Sequence, residues 1–232
     1  MSHATVLVFT EPGQRIEDLL APYDESIVVK PYIEYTKQEA IDYARKYFDS
    51  CKDKSDEECW KYMAEDGYST DADGNIYSIY NPNSKWDWWQ IGGRFRGLLF
   101  DKEKDYFVDE GYVKDIQFVN DAEAYEHALK FWDVYVEGKE PPDDDDYDSL
   151  YKKEYYKNRY KNKETYARYR AQFSTWAVVT PDGEWHECGR MGWFACSDET
   201  DEEAIDWYEH YKERFLDTAQ PDWYVTVVDY HI

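Results

Sequence analysis

Ten tryptophans, 24 tyrosines and 10 phenylalanines sit in a chain of 232 residues whose formal charge is -24, and the two properties pull in opposite directions. So much charge of one sign favours an expanded chain. Each buried ring, however, removes on the order of 150–250 Å² from water, and disordered chains do not carry rings at this density. The chain therefore folds, with aromatics inside and carboxylates outside. Its length allows one large domain or two small ones around a substantial core.

The charge also sorts partners. With 51 Asp and Glu against 27 Lys and Arg, the surface repels nucleic acids and anionic membranes and attracts basic protein surfaces. Direct nucleic-acid binding is not expected, and neither is a membrane association. A nucleic-acid-binding protein is a natural partner, because clustered carboxylates fit a groove made for phosphates. The apolar run Val6 to Phe9 is too short for a signal-peptide core or a membrane span. Four cysteines, Cys51, Cys59, Cys188 and Cys196, read as buried, reduced thiols of a cytoplasmic protein. They form no Cys-x-x-Cys knuckle and there is no His-Glu-x-x-His, so neither a metal nor a cofactor is expected.

Along the chain, Thr5 to Thr10 reads as a first strand and Ile27 to Tyr35 as a second, at an edge because of Pro31. Thr36 with Glu39, and Ser55 with Glu58, are capping boxes that open two helices. Ile76 to Tyr80 and Gly97 to Phe100 are further strands, and Asp121 to Val136 a helix with one apolar stripe. Gly138 to Asp146 is a polar loop carrying Pro141-Pro142 and the run Asp143, Asp144, Asp145, Asp146. Tyr147 to Gln172 then reads as a long helix, open to a break near Asn162, and between Leu150 and Gln172 six tyrosines interleave eight Lys or Arg. Such cations are expected to pair with the protein's own carboxylates. A hairpin about Pro181-Asp182-Gly183, a helix from Asp201 to Ala219 and an internal strand from Trp223 to Ile232 close the chain. The expected class is α+β, with an antiparallel or mixed sheet, helices packed on one face, and the long Tyr/Lys-rich helix in an insertion. Residues 1–138 and 173–232 form the two parts of its core, and 139–172 the insertion.

Residues 81–97 break the acidic pattern with three indoles, a Gly-Gly pair and the cations Lys85, Arg94 and Arg96. On a strand, Arg94 and Arg96 would share a face and pair on a phosphate or carboxylate. Trp86, Trp88 or Trp89 could stack a base, and the amides of Gly92 and Gly93 could hold the anion beside Lys85 and Asp87. The alternative is structural: indoles in the core, glycines in a bulge, arginines paired locally. His186, beside Glu184 and Glu187, and His231, after Asp229, are the weaker candidates for acid–base chemistry.

The chain resembles a family of uncharacterised phage and prophage proteins. The resemblance rests on Asn81 to Trp88, Gly92 to Arg94, Asp182 to Trp185, Met191 to Phe194 and Val227 to His231. It implies a viral or prophage origin and no particular mechanism. The expected function is binding rather than catalysis: an acidic accessory protein that inhibits a basic, nucleic-acid-handling host defence protein, such as a CRISPR effector, through Asp143 to Asp146. One alternative is a protein that binds or hydrolyses a nucleotide or other anionic small molecule at Lys85 to Arg96. Another is a purely structural module.

Overall fold

The computed structural model describes residues 2–64, 69–191 and 196–232. In chain order its elements begin with β1 (His3–Thr10), α1 (Ile16–Leu20), β2 (Val28–Tyr35), α2 (Lys37–Tyr47) and α3 (Asp56–Ala64). The short strands β3 (Ser69–Thr70), β4 (Ile76–Tyr80), β5 (Trp88–Ile91), β6 (Leu99–Asp101), β7 (Tyr106–Val108), β8 (Glu110–Tyr112) and β9 (Ile116–Gln117) follow. The chain continues through α4 (Ala122–Phe131), α5 (Lys153–Tyr160), α6 (Lys163–Ala171), β10 (Ala177–Val179), β11 (Trp185–Glu187), α7 (Asp201–Tyr211) and β12 (Tyr224–His231). The fold is α+β.

Two compact units divide the chain, residues 22–84 and the remainder. Residues 139–172 lie within the larger unit. The smaller unit is an antiparallel sheet in the order β2-β4-β3, with β2 at the edge as Pro31 requires. Thr36 caps α2 with both halves of the capping box present. Ser55 and Glu58 exchange the same bonds ahead of α3. Ile41, Ala44, Cys51 and Cys59 make the unit's apolar cluster.

The larger unit is built on a mixed sheet in the order β11-β10-β1-β12-β5, with β8 also pairing on β12. β1 runs parallel to β10 and antiparallel to β12. Both central strands are buried on both faces, which is why Val6 to Phe9 and Val225 to Val228 lack polar alternation. One face packs Leu7, Phe9, Val225 and Val227 against Trp207, Tyr211 and Phe215 of α7 and its π-helical extension. The other packs Val6, Val8 and Val228 against Leu20 of α1, with Trp86, Trp89 and Trp185 alongside. A second small sheet, β7-β6-β9, is antiparallel.

The stretch expected as one long helix is two. α5 stops at Lys161, whose φ is +63°, and the Asn162 side chain accepts from the Thr165 amide to start α6. α4, its π-helical continuation Trp132–Val136, α5 and α6 enclose a cluster in which Tyr147, Tyr156, Tyr160 and Tyr166 are all buried. The cations of this region do pair internally in part: Arg159 bonds to Asp201, and Lys163 approaches Asp133 at 3.3 Å.

Candidate functional site

Two segments singled out in the sequence, 81–97 and the terminal strand, meet at one end of the main sheet. Strand register aligns His3 with His231 and Thr5 with Asp229 across β1 and β12. Across β12 and β5 it aligns Asp229 with Gln90 and His231 with Trp88. Residues that pair across strands share a face, so His3, His231 and Trp88 form one row and Asp229 and Gln90 the next.

Asp229 is fully buried and organises the cluster. Its Oδ1 lies 2.7 Å from His3 Nδ1, and its Oδ2 accepts from the Arg94 amide at 3.0 Å and from Gln90 Nε2 at 3.5 Å. Burial works to raise its pKa, but the bonds from the Arg94 amide and from His3 outweigh that and hold the carboxyl below the usual carboxylate range. A second pair stands beside the first: His231 Nδ1 is 2.7 Å from Asp87 Oδ1, and the Asp87 amide donates to the His231 carbonyl at 3.0 Å. The imidazole rings meet edge to face with centroids 5.1 Å apart, and Trp88 packs against His3 at 6.0 Å.

A carboxylate on Nδ1 selects the Nδ1–H tautomer of each neutral ring and leaves Nε2 as a proton acceptor. The two Nε2 atoms then differ. Among the described residues, that of His231 is enclosed without a hydrogen-bond partner, while that of His3 is accessible and makes no hydrogen bond. His3 with Asp229 is the arrangement of a general acid–base oriented by a buried carboxylate.

The turn that carries Gly92 and Gly93 does something other than what its sequence suggested. It is a 3-10 turn, Gly93–Phe95, rather than a strand, so Arg94 and Arg96 do not form a paired guanidinium face. Both glycines have positive φ, +67° and +54°, and a Cβ at either would overlap a carboxylate, Asp109 at Gly92 and Asp229 at Gly93. The Gly97 amide donates to Asp109 at 2.5 Å. The anion cradle is thus filled by the protein's own aspartates. The Arg94 side chain stays exposed and makes no ion pair among the described residues, and Arg96 returns its Nε to the Gly93 carbonyl at 3.3 Å.

The other candidates disperse. Trp86 donates to the Leu20 carbonyl at 3.1 Å and, with Trp89, belongs to the core, leaving Trp88 as the accessible indole, 45% exposed. Lys85 is spent on Glu187 at 2.6 Å. His186 lies on β11, three strand spacings from β12, or about 14 Å. There it contacts Thr180 Oγ1 at 3.3 Å and the Phe215 ring. Met191 opens the Met-Gly-Trp-Phe motif, and residues 192–194 lie outside the described residues. Three cysteines are buried and free, but Cys196 is exposed, contrary to expectation. No group of three or more His, Cys, Asp and Glu is placed to hold a metal among the described residues.

A separate cleft of about 940 Å³ opens beside α4. Six carboxylates line it, those of Asp121, Glu123, Glu126, Asp145, Asp146 and Asp148, against the two cations Lys130 and Arg170. Its apolar lining includes Phe131, Tyr156 and Tyr166. Of the aspartate run, Asp143 turns inward, bonding Lys130 at 2.8 Å and the Tyr147 hydroxyl at 2.5 Å. Lys152, Lys153 and Lys157, a helical turn or two beyond the run, form no ion pair with it among the described residues. Lys130, one helix away, is closer in space. Asp145 and Asp146 remain at the cleft.

His3, Gln90 and Asp109 escaped the sequence reading. Their partners lie 226 residues away, 139 residues away and, for Asp109, at the Gly97 amide 12 residues back, so no local spacing marks them. Comparison with known protein families, curated proteins and solved structures finds no match.

Proposed function

We propose that the sheet-end cluster binds a phosphate-bearing small molecule, such as a nucleotide, and catalyses its hydrolysis. The observation that carries this reading is the hydrogen-bonded convergence of Asp87, Gln90 and the Arg94 amide with His3, Asp229 and His231, with the Trp88 ring packed on His3. Trp88 offers a stacking surface for a base, worth roughly 1–3 kcal/mol, and Arg94 a free guanidinium for the phosphate. His3 Nε2 takes a proton from the attacking water as its oxygen bonds to phosphorus, and returns it to the oxygen that leaves. Asp229 steadies the imidazolium between those steps. Differential scanning fluorimetry against a nucleotide panel tests this. A ligand at a hundredfold over its Kd adds ~2.7 kcal/mol, and His3→Ala should abolish turnover while Arg94→Ala raises the Kd. The absence of both a thermal shift and product across the panel would discard the reading.

A second reading is favoured by charge: a phage-type accessory protein that acts in the host cytoplasm by inhibiting a basic, nucleic-acid-handling defence protein. The formal charge of -24 and the six carboxylates of the α4 cleft support it. Association would be fast and salt-sensitive. No described helix is long and apolar enough to cross a membrane. A pull-down with purified basic nucleases and effectors at low salt should recover a partner that elutes as salt rises, and failure to bind any of them would sink it.

A further inference from the structure

The cleft beside α4 differs from an ordinary acidic surface in what stands behind its carboxylates. Tyr166 is 7% exposed, lines this cleft, and has no hydrogen bond to its hydroxyl among the described residues. Phe131 and Tyr156, also buried, stand around it with ring centroids 5.5 and 5.6 Å away. Aromatic faces and a phenol oxygen without a hydrogen bond stand here among six carboxylates, which outnumber the two cations: Lys130 is spent on Asp143, and Arg170 lies within electrostatic reach of the Tyr166 phenol. That is the environment a desolvated organic cation requires.

The protein already holds one such cation in the same way. The Arg159 guanidinium lies 5.7, 5.6 and 5.9 Å from the ring centroids of Tyr155, Tyr160 and Tyr169 and bonds to Asp201. Its side chain is only 12% exposed, so the tyrosine cluster accommodates a guanidinium away from water.

We infer that the α4 cleft seats an arginine side chain presented by a basic partner segment. This rests on the second reading above, the one in which the acidic surface meets a basic protein. The guanidinium enters against Phe131 and Tyr156, donates to the Tyr166 hydroxyl, and takes its counter-charge from Glu126, Asp145 and Asp146. Arginine is favoured over lysine because its planar, weakly hydrated head stacks on rings and donates in several directions at once. An ammonium would have to shed a tighter water shell for a single charge contact.

The probe is the peptide acetyl-Gly-Arg-Gly-Arg-Gly-amide, titrated calorimetrically into the full chain beside its lysine and citrulline counterparts. The arginine peptide should bind roughly fivefold or more tightly than the lysine one, the size of a partly desolvated cation–π contact, and the citrulline peptide should not bind. Tyr166→Phe should weaken the arginine peptide selectively, while the exposed set Glu126→Gln, Asp145→Asn and Asp146→Asn should weaken arginine and lysine alike. Circular dichroism on each variant confirms that the fold is kept. Equal affinity for arginine and lysine, or arginine binding unchanged in these folded variants, overturns the inference. A basic partner captured equally well by the triple variant removes the cleft but leaves the partner reading standing. Peptide binding through the cleft without any basic host partner does the reverse.

Discussion

The two interiors of the larger unit solve the same problem with different side chains. The main sheet is sealed by aliphatics, with Val6, Leu7, Val8, Val178, Val179, Val225, Val227 and Val228 all fully buried. The helical region from α4 to α6 is sealed by tyrosine: Tyr147, Tyr156, Tyr160 and Tyr166 are each less than 10% exposed. Parallel and antiparallel ladders satisfy the sheet's backbone internally, so its side chains need supply nothing but area. The helices are short and highly charged, and their tyrosines supply area and a polar tip together. Tyr156 bonds Ser149 at 2.6 Å, Tyr147 bonds Asp143, and Tyr155 bonds Arg159 at 2.7 Å. A core that keeps hydroxyls at its rim can sit directly beneath an acidic surface, and that is where the cleft lies.

If this contrast is right, the largest loss should come from the aliphatic side. Leu7→Ala is expected to cost about 2–5 kcal/mol, because the sheet cannot close over the void. Urea unfolding would measure it. A loss near 1 kcal/mol would mean the sheet core is plastic, and the comparison would lose its basis.

Asp229→Asn tests the polar end of the same sheet. Removing the charge should cost about 1–3 kcal/mol at neutral pH, since His3 and the Arg94 amide lose an ionised acceptor. The pH dependence carries a sign. The folded-state pKa of Asp229 lies below the unfolded value of about 3.9. Its stabilisation is therefore complete above that value and drains away as pH falls through the folded pKa. Urea midpoints followed from neutral pH down to about pH 3 should fall less steeply in the variant than in the parent. Parallel curves would show that Asp229 contributes no pH-linked stability.

Tyr156→Phe sharpens the contrast from the tyrosine side. It keeps the ring and removes the bond to Ser149, so about 0.5–1.5 kcal/mol should be lost. No change in thermal midpoint would mean that the hydroxyls are incidental and tyrosine serves only as a larger phenylalanine.

The smallest effect belongs to the aspartate run. Replacing Asp143 to Asp146 with Asn should leave unfolding cooperative and shift stability by less than about 1 kcal/mol, most of it from the exposed pair with Lys130. Binding to a basic partner should weaken, and more so at low salt. Loss of cooperative unfolding would show that the loop is part of the tyrosine core.

Much of the fold was legible where the signal is local. Thr36 and Ser55 open helices because a hydroxyl and a glutamate three residues on satisfy each other's backbone, and nothing distant is needed. Pro31 marks an edge strand, Asn162 a helix break, and Val225, Val227 and Val228 of β12 a strand with neighbours on both sides. The site was legible only in fragments. Segment 81–97 and the Asp229–His231 pair both stand out in the sequence, but that they touch is a fact of register across β5, β12 and β1. Arg94 and Arg96 were misplaced for a related reason: the two left-handed glycines fold the chain into a turn whose purpose, the approach of Asp109 and Asp229, lies elsewhere in the sequence.

The pairing of β1 with β12 joins residues up to 226 positions apart along the chain. At a ribosomal pace of roughly 5–20 residues per second, β1 waits on the order of 10–45 seconds for that partner. β10 emerges earlier and offers β1 a parallel edge through Val6 and Ala177, a companion that shelters the strand without completing anything. His3 finds Asp229 only when the closing strand arrives. The cluster therefore forms only after β12 has been made: a copy cut short before that strand could bury part of its sheet and still present an imidazole with no carboxylate to steer it.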